Sequence, residues 1–298
     1  MSPSSRTSGH ILPLPRGRSL RLDSGPLVMG IVNVTPDSFY PLSRSRGAGE
    51  AAEAALAMEA DGAAIVDIGG ESTRPGSDYV GETEELERVV PAVAAIRARS
   101  GLPISVDTRK ASVARAAIEA GADLINDVSA LRHDPAMAGL AVEAGAAVLL
   151  MHMKGEPKTM QGAPSYVDCV SEVRDFLAEA AARAIAAGIE PGRILVDPGI
   201  GFGKRLEDNL SLLKGLGAIA GLGYPVAVGL SRKAFLGAIV GEEVDARLPS
   251  SLGAACAALL GGAFLFRVHD VAATVEALAA FEAVVGRPER RLGAGSRP

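Results

Sequence analysis

At 298 residues, with 48% hydrophobic and 22% charged side chains, the chain has ample material for one large core and the length of an α/β barrel. A formal net charge of −5 argues against a nucleic-acid partner held by phosphate neutralisation. No apolar run approaches the roughly 18 residues of a membrane span. Two cysteines, Cys169 and Cys256, make no disulfide framework, so a reducing cytoplasm is the expected location.

The first 22 residues are rich in Ser, Pro and Arg and carry no acidic side chain. They lack the apolar middle of a secretory signal. A disordered tail is expected over 1–22, with an organelle transit peptide as the alternative, a barrel domain over 23–288 and a second tail over 289–298. Between the tails, short apolar runs alternate with Ala-rich amphipathic segments. The strand candidates are 27–34, 63–70, 103–108, 123–128, 147–153, 194–199, 225–231 and 263–268. Helices follow them, among them 82–100, 110–120, 165–188 and 271–284. Eight strand–helix units in strict alternation predict a parallel sheet closed into a (β/α)8 TIM barrel, a single domain. An open doubly wound sheet would want a Gly-rich dinucleotide turn after its first strand, and "NVTPDSF" is not one.

Active sites of such barrels lie at the carboxyl ends of the strands. Those ends read Asn33, Asp67, Asp107 with Arg109, Asn126 with Asp127, Met151 with His152, Asp197, Ser231-Arg232-Lys233, and Arg267 with His269. Any one of them could simply satisfy loop backbone, but eight at one rim suggest a polar ligand. Asp107 and Asp197 only accept hydrogen bonds, while Asn126 both accepts and donates, a set suited to a flat heterocycle with adjacent N–H donors. The four histidines are scattered, which argues against zinc. Arg267 and His269 lie two apart, so in extended backbone both face one way, as an anion site would require. Lys233 opens a helix, where a cation opposes the dipole, and so is expected to face a ligand.

In "DPGIGFGK" (197–204), glycines including Gly201 are expected to let backbone approach that ligand, with Phe202 as a ring for a planar group. The long segments 33–49 and 69–82, the latter carrying Thr73, Arg74 and Pro75, are expected to be lids or binding loops.

Eight motifs in order, "MGIVNVTPDSF", "DIGGESTRPG", "PISVDTRK", "INDVSA", "LMHMKGEPKTMQ", "DPGIGFGK", "SRKAFLG" and "RVHDV", give a chain that resembles the dihydropteroate synthase family over roughly 22–285. The resemblance implies an alkyl transferase of folate biosynthesis. It joins 6-hydroxymethyl-7,8-dihydropterin diphosphate to 4-aminobenzoate, by dissociative substitution at the pterin methylene, with sulfonamides as mimics of the second substrate. It also implies that Asp107, Asn126, Asp197 and Lys233 form the pterin pocket and that Met151, Gly201, Phe202 and Phe39 line the substrates. Thr73, Arg74 and Pro75 would lie near the diphosphate and aminobenzoate. Arg267 and His269 would hold the diphosphate together with Mg²⁺ on Asn33. Arg267, His269, Lys233 and Asp107 are the expected catalytic groups, and a homodimer is the expected assembly. The chain departs from the family pattern at Pro41 and Ala234. A pterin-binding paralogue without synthase activity and a corrinoid-linked methyltetrahydrofolate methyltransferase domain are the alternatives.

Overall fold

The computed structural model describes residues 11–22, 25–35, 47–74 and 76–285. Strands β3 (Leu27–Asn33), β4 (Ile65–Gly69), β5 (Ile104–Asp107), β6 (Leu124–Asp127), β7 (Ala147–Met151), β8 (Ile194–Asp197), β9 (Val226–Gly229) and β10 (Ala263–Val268) follow one another round a closed parallel barrel, β10 returning to pair with β3. Helices α1 (Ala48–Ala60), α2 (Glu82–Arg97), α3 (Ala111–Ala120), α4 (Met137–Ala144), α5 (Cys169–Ala186), α6 (Leu206–Lys214), α7 (Leu216–Ala220), α8 (Ala234–Val240), α9 (Leu248–Leu260) and α10 (Val271–Val285) connect them. The expected TIM barrel is therefore present, each strand within two residues of its sequence-based bounds at both ends. Helix α5 starts later than "PS" at 164–165 suggested, because Asp168 caps it by accepting hydrogen bonds from the backbone N–H groups of Val170 and Ser171.

Side chains alternate across each strand. Val28, Val66, Ile104, Ile125, Val148, Val196, Val226 and Phe266 pack outward with the helices. Leu27, Met29, Ile65, Leu124, Leu149, Leu195, Ala227 and Leu265 fill the barrel interior. That inner stack is apolar at the strand starts, so its open end needs a cover.

The cover is the segment expected to be a disordered tail. Residues 11–22 instead form an antiparallel hairpin of β1 (Ile11–Pro13) and β2 (Ser19–Arg21). Its Leu12, Leu14 and Leu22 are buried in the same cluster as the interior side chains. Arg16 and Arg18 then lock the hairpin to the wall through Asp123, which also accepts from Arg97; the nitrogen–oxygen distances are 3.0, 2.5 and 2.8 Å. Asp123 is fully buried, so three guanidinium groups compensate the cost of its desolvation. Residues 1–10 and 286–298, which hold the rest of the two expected tails, lie outside the described residues.

Leu12→Ala should destabilise the fold by about 2–5 kcal/mol in urea melts monitored by circular dichroism. A loss below about 0.5 kcal/mol would show that the hairpin does not seal the barrel.

Candidate active site

Strand register sets the rim. Asn33, Gly69, Asp107 and Asn126 stand side by side in four consecutive strands, Met151 pairs with Asp197, and Arg267 with Gly229. Asp67, two residues before Gly69 and on the same face, sits one layer deeper and is fully buried.

Arg267 ties these layers together. Its Nε donates to Asp67 at 2.6 Å and a terminal nitrogen donates to Asp107 at 2.8 Å. Asn126 donates its amide N–H to the same Asp67 oxygen at 3.1 Å. Burial would lower the affinity of Arg267 for its proton, but the charges of Asp67 and Asp107 outweigh it and hold the guanidinium above its ordinary value. Burial pushes Asp107 up to about 8, against the pull of Arg267 and with the help of Asp67, Glu85 and Asp127. One oxygen each of Asp67 and Asp107 is buried with no hydrogen-bond partner among the described residues. At the rim, the Asp107 acceptor suits a ligand that brings N–H groups or positive charge.

Asp197 closes the opposite side. Burial raises its pKa, while Lys233 and the Gly199 N–H, which donates to it at 2.6 Å, work the other way. Burial pushes Lys233 down to about 8 against the attraction of Asp197. The Lys233 ammonium donates to the Ile200 carbonyl and lies 4.6 Å from the centre of the Phe202 ring. Phe202 packs with Met151, Val128, Met153 and Met160 in a small apolar cluster. A carboxylate, an ammonium and a flat apolar wall thus meet in one place.

The third side is cationic. Burial and then the charge of Arg267 depress the proton affinity of Arg74. Burial pushes His269 down to about 3, with Arg74 and Arg267 adding to the effect. Two guanidinium groups that repel one another, beside an imidazole that is neutral in the free protein, form a half-buried site for an anion. His269 is oriented by Ser231, whose hydroxyl lies 3.0 Å from Nδ1 and accepts from the His269 backbone N–H at 3.3 Å.

Residues 29–269 match the family model described as "Pterin binding enzyme". The chain is 45% identical over 276 residues to the dihydropteroate synthase of Escherichia coli K12, covering 93% of this chain and 97% of that protein. The dihydropteroate synthase family includes this chain. The structure of the Yersinia pestis dihydropteroate synthase, a complex with a sulfonamide drug, superposes with a TM-score of 0.87 at 44% identity, covering 91% of this chain and 98% of that one. That of the Xanthomonas albilineans dihydropteroate synthase with 4-aminobenzoic acid gives 0.83 at 46%, covering 93% and 99%.

Of the residues that the family resemblance singles out, the rim gathers Asn33, Asp107, Asn126, Met151, Asp197, Phe202, Lys233, Arg267, His269 and Arg74. Gly201 lies beside Lys233, with φ +85°, and Thr73 sits half-buried on the same loop as Arg74. Phe39, Pro41 and Pro75 lie outside the described residues.

Several polar strand ends serve the loops instead of the rim. Arg109 turns to Glu71 and Glu156, at 3.1 and 2.8 Å. Asp127 accepts from the backbone of Ser129 and Leu131. Arg232, at φ +54°, makes a two-pronged ion pair with Asp270 and donates to the carbonyls of Val244 and Asp245. The loop over 69–82 is pinned and is not built as a free lid: Lys110 bridges the buried Glu71 and Glu85, and the Gly76 N–H donates to the Pro157 carbonyl.

Two of the glycines of 197–204, Gly199 and Gly203, make room for backbone of the neighbouring loop and not for a ligand. A Cβ at Gly199 or Gly203 would collide with the carbonyl oxygens of His152 or Lys154, and both have positive φ. They let the β8–α6 loop lie on the β7–α5 loop. Asp67 is named among the strand ends but given no part in the site, and Lys204 is left without a role. The support that Asp67 gives Arg267 could have been inferred from the period-two spacing ahead of Gly69, which places Asp67 under the rim.

Because the folded state holds a proton on Asp107 that the unfolded chain releases near 3.8, this group costs stability progressively as pH rises from about 4 to 8. Asp107→Asn should therefore gain in melting temperature relative to wild type as pH goes from 5 to 8. A difference that is flat, or that falls over that range, would contradict the raised pKa.

Proposed function

We infer that the rim performs the family's reaction by dividing its charges between the two ends of one substrate. The reaction joins 6-hydroxymethyl-7,8-dihydropterin diphosphate to 4-aminobenzoate, giving 7,8-dihydropteroate and diphosphate. The observation that carries the reading is the placement of Arg267. It is shared by the carboxylates Asp67 and Asp107 on one side and lies within electrostatic reach of Arg74 and His269 on the other.

On the acidic side, Asp197 accepts the neighbouring N–H groups of the pterin edge, Asn126 supplies both donor and acceptor, and Lys233 donates to the ring's oxygen and nitrogen. Met151 and Phe202 contribute the flat wall. On the basic side, Arg74, Arg267 and His269 take up the charge of the departing diphosphate. Carbon–oxygen cleavage at the exocyclic methylene leaves a cation delocalised into the dihydropterin. Asp107 and Asp197 then lie where that positive charge develops, and a carboxylate that is costly in the free protein becomes favourable beside a cation. The neutral aromatic amine closes the bond with its own lone pair, and the proton that the new ammonium sheds passes to the departed diphosphate.

Asn33 fits a role toward Mg²⁺. Its side-chain oxygen and that of Asp107 both flank Gly69, and among the described residues no cluster of three acidic or imidazole ligands offers an all-protein cage. A hard cation with one amide oxygen from the protein would complete its shell with water and substrate phosphate, and would neutralise part of the leaving group's charge.

A homodimer is supported by exposed Ile239 and Val240 at the end of α8 and Leu260 at the end of α9. No helix among the described residues is long and apolar enough to cross a membrane, and Cys169 and Cys256 are free thiols, which fits the cytoplasm.

The test is diphosphate release with both substrates present, for wild type and for Arg267→Ala combined with His269→Ala. Loss of at least about a hundredfold in turnover is expected. Turnover near wild type would overturn the leaving-group assignment. Pterin diphosphate uptake without diphosphate release by the wild type would mark a binding protein without synthase activity.

A further inference from the structure

Lys204 is a charged side chain only 3% exposed whose ammonium meets no side chain assigned to the substrate. Its ammonium lies 2.9 Å from the Gly199 carbonyl, 3.1 Å from the Phe202 carbonyl and 2.9 Å from Nδ1 of His152. Its three donors thus face acceptors from two loops, with the His152 carbonyl a fourth, more distant one at 3.5 Å. The arrangement curls the β8–α6 connection into a turn, closed by the Phe202 N–H donating to Gly199 at 3.1 Å. The other surface of that turn is the one that faces the rim: the Gly199 N–H holds the Asp197 carboxylate, the Ile200 carbonyl accepts from Lys233, and the Phe202 ring lies against the Lys233 ammonium.

The start of α6 does not need this lysine. Asp208, in its first turn, accepts from both the backbone N–H and the guanidinium of Arg205.

We propose that Lys204 is a positioning residue of the reaction, whose buried ammonium sets the height of the Asp197 carboxylate and the tilt of the Phe202 ring against the pterin. The inference rests on the functional reading above. His152 completes it as the acceptor that ties the turn to β7. Burial and the neighbouring Lys204 charge push His152 down to about 2, so its ring is neutral and offers a lone pair at Nδ1 while the proton sits on Nε2. The ring is held edge-on to Phe176, with centroids 4.8 Å apart. Burial also pushes Lys204 down to about 7, opposed by Cys169, Asp197 and Asp208 and reinforced by Lys233. The ammonium is therefore held by its acceptors and not by an ion pair, and loss of one acceptor should be felt in the turn.

The test uses the full chain with Mg²⁺, pterin diphosphate and aminobenzoate, and inorganic diphosphate as a separate probe of the Arg74, Arg267 and His269 side. Lys204→Met should raise the KM for pterin diphosphate at least about tenfold and leave the Kd of inorganic diphosphate within about twofold. A merely structural loss would weaken both together. His152→Leu, which deletes the acceptor, should raise the same KM several-fold. His152→Asn, which can place an oxygen near the Nδ1 position, should recover most of that loss. If Lys204→Met does not fold, the His152 pair decides: equal KM values for Leu and Asn overturn the proposal. An unchanged pterin KM in a folded Lys204→Met protein also overturns it. A wild type that releases no diphosphate would instead defeat the functional reading itself, so the two failures are distinct.

Discussion

Asp67 holds Arg267 from beneath the rim, and the site depends on that contact. A buried guanidinium with no partner would be untenable, and so would two neighbouring carboxylates in a site poor in water. Together they are stable: Arg267 offsets the repulsion between Asp67 and Asp107, and the carboxylates keep Arg267 charged. Because Asn126 donates to the same Asp67 oxygen that Arg267 uses, one buried carboxylate orients a group on the acidic side and a group on the basic side. The two ends of the substrate are thereby held at a fixed separation by a side chain that meets neither.

The rest of the barrel supports that geometry from below and from the flanks. The N-terminal hairpin seals the apolar end, so the polar layer at the other end rests on a dry, filled interior. The loops that border the rim are braced by their own buried charges, Lys110 between Glu71 and Glu85, and Arg232 against Asp270. These pairs are weak evidence for stability, since desolvation offsets much of their attraction. Their contribution is to orientation: each removes a strand-end cation from the mouth and fixes a loop whose neighbours face the ligand.

Much of this was legible in the residues. Strand–helix alternation is a strong periodic signal, and eight repeats leave few architectures. The shared direction of Arg267 and His269 followed from the spacing of two, and both feel the charge of Arg74 at the same side of the rim. What could not be read depended on contacts between distant segments. Leu12, Leu14 and Leu22 look like scattered apolar residues in a tail until a barrel end requires covering. Arg109 has the same strand parity as Asp107, yet the chain turns after β5 and Glu71 and Glu156 draw the guanidinium away. The glycines at 199 and 203 signal close approach correctly, but what approaches is the neighbouring loop's backbone.

The most direct test is Asp67→Asn, which keeps the shape and removes the charge under Arg267. Calorimetry should follow inorganic diphosphate and a pterin in separate titrations, with folding checked by melting. Both affinities are expected to fall, each by about tenfold or more, since the two ligands share one buried support. Loss of only one affinity, or of neither, in a folded protein would contradict the claim that Asp67 joins the two halves of the site.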